Sequence, residues 1–272
     1  MRYARLIPVL SVSLFAGVAS ASAFLDPFNS LDAGFWYAGD GWANGAPFNV
    51  GWRADHAVAS GGQLALNLND TPCPGGCSGK LYASGNVASN ATYGYGTVYG
   101  RFQAASGAGL VTSLFTYTGS HVGNPHDEID IEVLGKDTTK VQFNFFSDGS
   151  TGNEHTLDLG FDASQGMHDY AFSWTPDSIS WYVDGILRYS VLASITALPT
   201  TPGQIMVNLW AVDDSATAWA GTYGGQSATA LYDYVGYTPY TVPEPPVASL
   251  AFLALLGGFS SRRRRPDTPR SA

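Results

Sequence analysis

The sequence predicts an all-β fold, a jelly-roll sandwich of two antiparallel sheets with a concave cleft. Between residues 62 and 240 no long segment repeats its apolar residues with the 3.6-residue period of a helix, and short runs of strand-forming residues alternate with Gly, Asn, Asp and Pro. The 32 glycines and the regular spacing of these runs favour a β-sandwich. With 272 residues, 45% of them hydrophobic, the chain can form one large all-β domain.

Residues 1–23 are predicted to be a secretion signal that precedes this domain. Arg2 and Arg5 come before the apolar run LIPVLSVSLFAGVA, and Ala21 and Ala23 flank Ser22 in the small-x-small pattern of a signal-peptidase site. A buried core helix would explain the apolar run, but neither the charges before it nor the small residues after it. The mature domain is therefore predicted to span residues 24–242.

Short runs of β-branched and aromatic residues mark the strands of the domain. Asp184 and Gly185 separate two of these runs, and an Asp-Gly pair between strands favours a tight hairpin turn. The predicted strands are residues 63–68, 97–104, 110–117, 128–134, 140–146, 170–175, 179–184, 186–190, 204–210 and 231–237.

The predicted strand at residues 128–134 concentrates acidic residues in a chain of which only 13% is charged. Successive side chains of a strand point to opposite faces, so one face carries Ile129, Ile131 and Val133. The other face carries Glu128, Asp130 and Glu132. Each of these carboxylates raises the pKa of its neighbours. Such a row supplies both an ionised carboxylate and a carboxylic acid protonated near neutral pH, which hydrolysis of a glycosidic bond requires.

Two other interpretations of the acidic row are a solvated sheet face and a calcium site. Scattered charges of both signs would serve a solvated face better than three like charges in a row. Calcium prefers oxygen ligands on a flexible loop to side chains that alternate along a strand. Catalysis is therefore the favoured interpretation.

The predicted strands at 140–146 and 204–210 alternate in the same way. Their non-core faces carry amides and large side chains, namely Gln142, Asn144, Phe146, Met206, Asn208 and Trp210. If these strands share a sheet with the acidic strand, the common surface is a concave cleft suited to sugar. Amides bind hydroxyl groups there, and aromatic faces stack on pyranose rings.

Residues 243–272 are predicted to be a sorting tail. The apolar stretch at 247–259 has 13 residues, fewer than the roughly 20 of a membrane-spanning helix, and four arginines follow at 262–265. With VPEP at residues 242–245, the segment resembles the PEP-CTERM signal of Gram-negative bacteria. That resemblance implies membrane contact only through the tail, processing near the Pro-Glu-Pro motif, and release or attachment at the cell surface. A simple C-terminal anchor is the alternative.

The domain between the two ends is strongly acidic. Of the 13 Lys and Arg residues seven lie in the terminal segments, and of the 22 Asp and Glu residues two do, which leaves a net charge of about −14. Such a surface repels phosphate, which argues against nucleic acid and anionic membranes as partners. We expect a monomer that binds a neutral polymer.

The two cysteines, Cys73 and Cys77, lie four residues apart in TPCPGGCSG. In an exported protein a local disulfide is favoured over a metal site, because two thiols without a nearby His make a poor zinc site. Closing so short a loop adds little stability.

The segment DEIDIEVLGKDTTKVQFNFF closely resembles the signature of glycoside hydrolase family 16, in particular the bacterial endo-β-1,3-1,4-glucanases called lichenases. Its E-x-D-x-E spacing is similar to the lichenase and xyloglucan-transferase branches, whereas laminarinases carry one extra residue. Further matches are FNSLDAGFW, ANGAPFNVGWRA, YGYG, SLFTYTG, LGFDASQGMHDYAFSW, WYVDG and IMVNLW, which extend the resemblance from residue 24 to about residue 240.

The resemblance implies hydrolysis of β-glucan with retention of configuration and no catalytic cofactor. It makes Glu128 the nucleophile, Glu132 the general acid/base and Asp130 a hydrogen-bonding helper. It also implies a structural Ca²⁺ far from the cleft, held by the carbonyls of Pro27 and Gly62 and the side chain of Asp233. The implied cleft positions are Asn49, Phe115, Tyr117, His126, Gln142, Asn144, Phe146, Asn208 and Trp210, of which Phe115 and Trp210 could instead belong to the core.

Several residues depart from the lichenase pattern and bear on the choice of substrate. His126 stands where lichenases usually have Trp, and Phe146 replaces a Tyr. Leu81 and Ala83 replace a Glu and an Arg that grip the glucan. Mixed-linkage β-1,3-1,4-glucan is the favoured substrate. The alternatives are xyloglucan or another β-glucan, transglycosylation, a non-catalytic glucan-binding surface protein, and a structural matrix protein.

Overall fold

The structure is a computed structural model that describes residues 22–71 and 74–241. The predicted secretion signal lies outside the described residues except for its last two, and the predicted sorting tail lies outside them entirely. Across the described ranges no helix has the length and apolar character needed to cross a bilayer.

Short strands make up most of the described chain. The strands are β1 Phe24–Asp26, β2 Trp36–Ala38, β3 Val50–Trp52, β4 Ala57–Ser60, β5 Gln63–Asn69, β6 Tyr82–Ser84, β7 Asn86–Tyr93, β8 Gly96–Gln103, β9 Leu110–Thr118, β10 Asp127–Leu134, β11 Lys140–Phe146, β12 His155–Asp158, β13 His168–Trp174, β14 Ser178–Val183, β15 Ile186–Leu192, β16 Gly203–Ala211 and β17 Ala228–Pro239. The 3₁₀ turns are Ala54–His56, Pro74–Gly79, Ser120–Val122 and Asp214–Ala216, and the single-turn α-helix α1 is Thr217–Ala220.

The strands form two sheets. The ten-stranded sheet has the order β15-β14-β13-β8-β17-β5-β6-β3, with β1 beside β17 and β4 beside β5. The seven-stranded sheet has the order β12-β11-β10-β9-β16-β7-β2. The predicted all-β architecture is confirmed with one difference, because the edge strand β3 runs parallel to its neighbour β6. Their long connection, which includes β4 and β5, permits the crossover that a parallel pair requires.

The hydrophobic core lies between the sheets and takes the apolar face of each strand. Ile129, Ile131 and Val133 on β10 are fully buried there, as the alternation predicted. Trp181 on β14 donates a 3.0 Å hydrogen bond from Nε1 to the backbone oxygen of Asp130. This bond crosses from one sheet to the other, so it fixes the middle of the acidic strand against the core.

The ten predicted strand runs all coincide with strands, and the predicted turn is present. Asp184 and Gly185 have φ values of 49° and 73° between β14 and β15, which is the left-handed backbone that a tight hairpin needs. The strands that the sequence pattern did not reveal are β1, β2, β3, β4, β6, β7 and β12. Most of these have three or four residues, too few to display a period, and β7 is rich in Asn, Ser and Ala, which are poor strand formers.

Candidate active site

The predicted row of carboxylates lies on the exposed face of the seven-stranded sheet. Antiparallel pairing places each acid between one residue of β9 and one residue of β11. The three side chains that are paired in this way point to the same face of the sheet. The sets are Glu128 with Tyr117 and Phe146, Asp130 with Phe115 and Asn144, and Glu132 with Ser113 and Gln142. Strand β16 continues the surface, since Gln204, Met206 and Asn208 pair with Tyr117, Phe115 and Ser113. The expectation that three strands share one polar surface is therefore confirmed.

Glu132 is held in the protonated form near neutral pH. Burial of its carboxyl and the negative charges of Glu128 and Glu154 raise its pKa to about 8. Gln142 opposes this shift by donating from Nε2 to Oε2 of Glu132 at 3.4 Å. The other end of the Gln142 amide accepts a 2.9 Å bond from Nε1 of Trp219. Glu132 is thus an acid whose carboxyl is oriented by an amide that is itself held in place.

Asp130 lies between the two glutamates and is only 4% exposed. Its burial raises its pKa well above the usual range, and the charges of Glu128 and Glu132 and a hydrogen bond with Glu128 add to the effect. A protonated Asp130 can donate that hydrogen bond to the Glu128 carboxylate. The arrangement therefore supplies Glu128 with a donor without a further negative charge.

Glu128 is more accessible, with 18% of its side chain exposed. Its Oε2 lies 2.5 Å from Nε2 of His126. That hydrogen bond raises the pKa of His126, as do the negative charges of Glu128 and Asp127, while burial opposes the shift. Glu128 thus combines access to the cleft with hydrogen-bond partners on both sides along the strand, which suits a nucleophile.

Asp127, at the start of β10, lies outside this row. Its Oδ2 accepts hydrogen bonds from the backbone N–H groups of Thr200 and Thr201, both at 2.9 Å. Its Oδ1 accepts another from the N–H of Asp148 at 2.9 Å. Burial opposes ionisation, but these donors lower the pKa of Asp127 overall. The carboxylate therefore ties the start of the acidic strand to two loops.

A cavity of about 550 Å³ opens beside Glu128. Its lining contains the predicted residues Phe115, Tyr117, His126, Glu128 and Asn208. Met206, which strand alternation had placed on the cleft face, also lies in the lining. Sequence reasoning missed Tyr37, Trp42, Asn44, Phe48, Asn86, Ala88, His121 and Gln204 as lining residues. Strand alternation could have identified Gln204, because Gln204 lies four residues from Asn208 and so points to the same face of the strand.

A second hollow of about 370 Å³ lies near the Glu132 end of the strand, and its lining includes Gln142, Thr156, Lys136, Lys140 and Trp219. Trp219 was also missed, since it lies on the short helix α1, where no strand pattern applies. The two hollows lie toward opposite ends of the row of acids. A ligand longer than one sugar could therefore extend to both sides of Asp130.

Unpaired polar atoms are concentrated on this face. Among the described residues, buried side-chain atoms without a hydrogen-bond partner include Asn86 Nδ2, Ser113 Oγ, Asn144 Oδ1 and Asn208 Oδ1. A buried polar atom without a partner is costly, and ligand or water can satisfy it. These donors and acceptors suit the hydroxyl groups of a sugar.

The remaining predicted cleft residues occupy different positions. Phe146 stacks on His126 with ring centroids 4.6 Å apart. Trp210 is buried and stacks on Phe48 at 4.1 Å. The backbone N–H of Asn49 donates to the oxygen of Ala211, and the side chain of Asn49 is absent from the described linings of both hollows.

The residues implied for calcium lie on or beside neighbouring strands of the ten-stranded sheet. A Cβ built on Gly62 would lie 3.8 Å from the carbonyl oxygen of Pro27. The pairing of Tyr232 with Leu64 puts Asp233 on the strand beside β5, and the Asp233 carboxylate lies 3.5 Å from Nε of Arg101. Within the described ranges no group of three or more His, Cys, Asp or Glu could hold a metal. Two carbonyls and one carboxylate are nevertheless hard oxygen donors, the type of ligand that calcium prefers.

The cysteine prediction falls partly outside the described residues. Cys77 is fully buried and disulfide-bonded, with its Sγ 3.7 Å from the carbonyl oxygen of Trp52. Cys73 lies outside the described residues, so its pairing with Cys77 stays a prediction.

Comparison with known proteins gives a consistent result. The profile of glycosyl hydrolases family 16 matches residues 44–234. A β-glucanase of Bacillus subtilis (strain 168) is 46% identical over 243 residues, which cover 86% of this chain and 95% of that protein. A β-glucanase of Bacillus licheniformis is 45% identical over 239 residues, 85% of this chain and 92% of that protein.

Solved structures agree with these matches. A prokaryotic β-1,3-1,4-glucanase (lichenase) derived from a mouse hindgut metagenome has a TM-score of 0.77 and 41% identity, and covers 81% of this chain and all of its own. The β-glucanase of Bacillus licheniformis has a TM-score of 0.75 and 43% identity, with 81% of this chain and 99% of its own covered. The predicted jelly-roll fold class is thereby confirmed.

Proposed function

The chain belongs to glycosyl hydrolase family 16, and we propose that it is an exported endo-β-glucanase that cleaves mixed-linkage β-1,3-1,4-glucan with retention of configuration. That it is a glycoside hydrolase of the β-glucanase type follows from relatives at 44–46% identity over most of the chain. The mechanism, the choice of glucan and export are the parts that we propose.

The observation that carries the mechanism is the division of roles among three acids on one strand. Glu132 has a pKa of about 8 and so keeps its proton at neutral pH. Glu128 is accessible and accepts hydrogen bonds from His126 and Asp130. A protonated acid and a hydrogen-bonded carboxylate on the same face are the two groups that a retaining glycosidase uses.

In the first step Glu128 attacks the anomeric carbon of the bound glucan. The bond to the leaving oxygen breaks as Glu132 transfers its proton to that oxygen. The product of this step is a glycosyl ester of Glu128, and Glu132 is left ionised. Asp130 orients the attacking carboxylate through its hydrogen bond.

In the second step Glu132, now a base, removes a proton from water. The water oxygen bonds to the anomeric carbon, and the ester bond to Glu128 breaks, which restores both acids to their starting states. Two inversions leave the configuration unchanged. No step requires a metal or an organic cofactor.

The cleft supports a neutral polymeric substrate. Its unpaired atoms on Asn86, Asn144 and Asn208 can bond sugar hydroxyls, and the aromatic lining offers stacking surfaces. The names of the relatives support a β-glucan, and the mouse hindgut relative is described as a β-1,3-1,4-glucanase.

The test is reducing-sugar release by the protein and by Glu128→Gln on barley mixed-linkage glucan, laminarin, xyloglucan and carboxymethylcellulose. We expect activity on mixed-linkage glucan and a loss of more than about 1,000-fold in the variant, because the nucleophile is removed. Unchanged thermal unfolding of the variant would exclude misfolding. A fully active variant would contradict the nucleophile assignment, and activity only on another glucan would contradict the substrate.

Export is proposed from the terminal segments alone. The charged and apolar run at residues 1–23 and the sequence pattern at 242–265, a VPEP motif followed by an apolar stretch and four arginines, support secretion followed by processing at the membrane. Mass spectrometry of protein from the medium and the cell surface should find chains that begin at residue 24 and end near residue 243. Intact chains retained in the cytoplasm would contradict export.

A calcium ion held by Pro27, Gly62 and Asp233 is proposed to stabilise the fold without a part in the chemistry. When bound it would link β1, the turn before β5, and β17, and so tie the two ends of the domain together. Removal of calcium should lower the melting temperature, with a loss of about 2.7 kcal/mol if the ion had been present at 100 times its dissociation constant. Initial rates at mild temperature should not change. A melting temperature that does not respond to calcium would contradict the site, and Asp233→Asn is the matched control.

A further inference from the structure

His126 makes a direct contact with the nucleophile that the proposed mechanism does not use. It lies immediately before β10, two residues from Glu128, so both side chains reach the concave face. The distance from His126 Nε2 to Glu128 Oε2 is 2.5 Å. A carboxylate oxygen can only accept, so Nε2 carries the proton in this bond.

The imidazole is held in this position by its surroundings. Phe146 stacks on one face of the ring at 4.6 Å and an interplanar angle of 16°. Tyr117 lies at 5.4 Å with its ring at 67° to the imidazole. The backbone oxygen of His126 accepts a 2.8 Å hydrogen bond from Gly149. The contact with Glu128 is therefore part of a packed cluster.

The charges around the imidazole favour its protonated form. On β10 these are Glu128, in contact, and Asp127, whereas the buried, protonated Asp130 adds no negative charge. Strand β9 contributes the neutral Tyr117, and beyond it His121 stacks on the far side of Tyr117 at 5.4 Å. Strand β11 contributes Phe146, which has no charge. The bond to Glu128 and the acidic neighbours raise the pKa of His126 against the opposing effect of burial.

We propose that His126 is a positioning residue that holds Oε2 of Glu128, leaves Oε1 free to attack, and controls the rate of attack through its own protonation. The proposal rests on the assignment of Glu128 as nucleophile. A residue outside the three acids thus sets the acid limb of the pH profile.

The sign of the effect follows from the change of charge during attack. The lone pair of Oε1 forms the bond to the anomeric carbon, and the carboxylate loses its negative charge as the ester forms. An imidazolium on Oε2 stabilises the carboxylate more than the neutral ester, so it slows this step. When the pH rises, the Nδ1 proton leaves to solvent, and the neutral ring still donates from Nε2. The neutral imidazole then still orients the Glu128 carboxylate, but it no longer carries the positive charge that slows the attack.

The experiment is the pH dependence of kcat/KM on mixed-linkage glucan for the protein, His126→Gln and His126→Phe. Gln can donate to Glu128 but does not titrate in this range, whereas Phe keeps the stacking on Phe146 and removes the donor. His168→Gln is the matched control, because His168 bonds Asp184 at 2.9 Å on the other sheet and lies outside the cleft linings.

We expect the acid limb of both His126 variants to move down by about one pH unit or more. His126→Gln should keep kcat/KM within roughly 3-fold near neutral pH, and His126→Phe should lose roughly 10-fold because the nucleophile is no longer held. The alkaline limb, set by Glu132, should stay in place in every variant. An acid limb identical to that of the unmodified protein in both variants would overturn the inference. If Glu128→Gln is inactive in that case, the proposed function still stands. If Glu128→Gln is active, neither the proposed function nor the role of His126 stands.

Discussion

Two buried aspartates, one at the start and one in the middle of strand β10, have pKa values that are shifted in opposite directions. Asp127 and Asp130 are three residues apart, and their exposed fractions are 5% and 4%. The pKa of Asp127 is lowered, and that of Asp130 is raised well above its usual range. Solvent exposure alone therefore does not decide the protonation state of a carboxyl.

The difference lies in the groups that surround each carboxyl. Asp127 receives three backbone N–H donors from Asp148, Thr200 and Thr201, which stabilise the charge. Burial without such donors opposes the charge of Asp130, and the negative charges of Glu128 and Glu132 add to this effect. The start of the strand thus has a structural anchor, and the middle has a group of acids whose crowding serves the chemistry at a cost in stability.

Glu132→Gln should have the largest effect at the middle of the strand, since it removes the proton donor. We expect kcat on glucan to fall by roughly 100- to 10,000-fold. A substrate whose leaving group departs without a proton should recover most of the rate of its first step. The alkaline limb, which we expect near the Glu132 pKa of about 8, should disappear. Equal losses on both substrates would contradict the role of general acid.

Asp127→Asn should weaken the anchor at the start of the strand by about 1–3 kcal/mol at pH 7, because an amide cannot accept all three donors. Since the folded pKa is depressed, this stabilisation exists above the usual value of 3.8 and is lost as the pH falls through the folded pKa. Urea unfolding at pH 7 and near pH 3 measures the loss of stability and its dependence on pH. A loss that is equal at the two pH values would contradict the role of the charge.

Asp130→Asn should have the smaller and opposite effect on stability, a gain of about 0.5–2 kcal/mol at pH 7. The folded pKa of Asp130 is raised, so the native carboxyl costs stability progressively as the pH rises above the unfolded value. The gain should therefore be larger at pH 7 than at pH 4 in urea unfolding. Activity should fall, because the crowded acid also orients Glu128. A variant that is less stable at pH 7 would contradict this account.

The sequence was sufficient to predict ten of the 17 strands in the described residues and the face of each acid. The period of two assigned the fully buried Ile129, Ile131 and Val133 to the core, and it grouped Gln142, Asn144 and Asn208 with the acids. Strands with three or four residues were beyond this method, because a period cannot be recognised in so few positions. The parallel pairing of β3 and β6 also depends on a crossover that the local sequence does not encode.

Residues that reach the site from distant parts of the chain could not be predicted from local patterns. Trp219 orients Gln142 from 77 residues away, and Thr200 holds Asp127 from 73 residues away. Tyr37 and Trp42 enter the cavity lining from the β2 region, which has no acidic or amide pattern. Only the packing of these segments against the sheet reveals their roles.

The sequence by itself determined that this protein has an all-β fold with three acids on one face of a strand, because side-chain direction in a strand depends only on parity. The tertiary structure decided which acid is protonated and which is charged, because a pKa depends on burial and on donors and charges that converge from other strands and loops. The same holds for the bond between His126 and Glu128. Parity puts both on one face, but the packing of His126 against Phe146 and Tyr117 holds the imidazole on the carboxylate of Glu128.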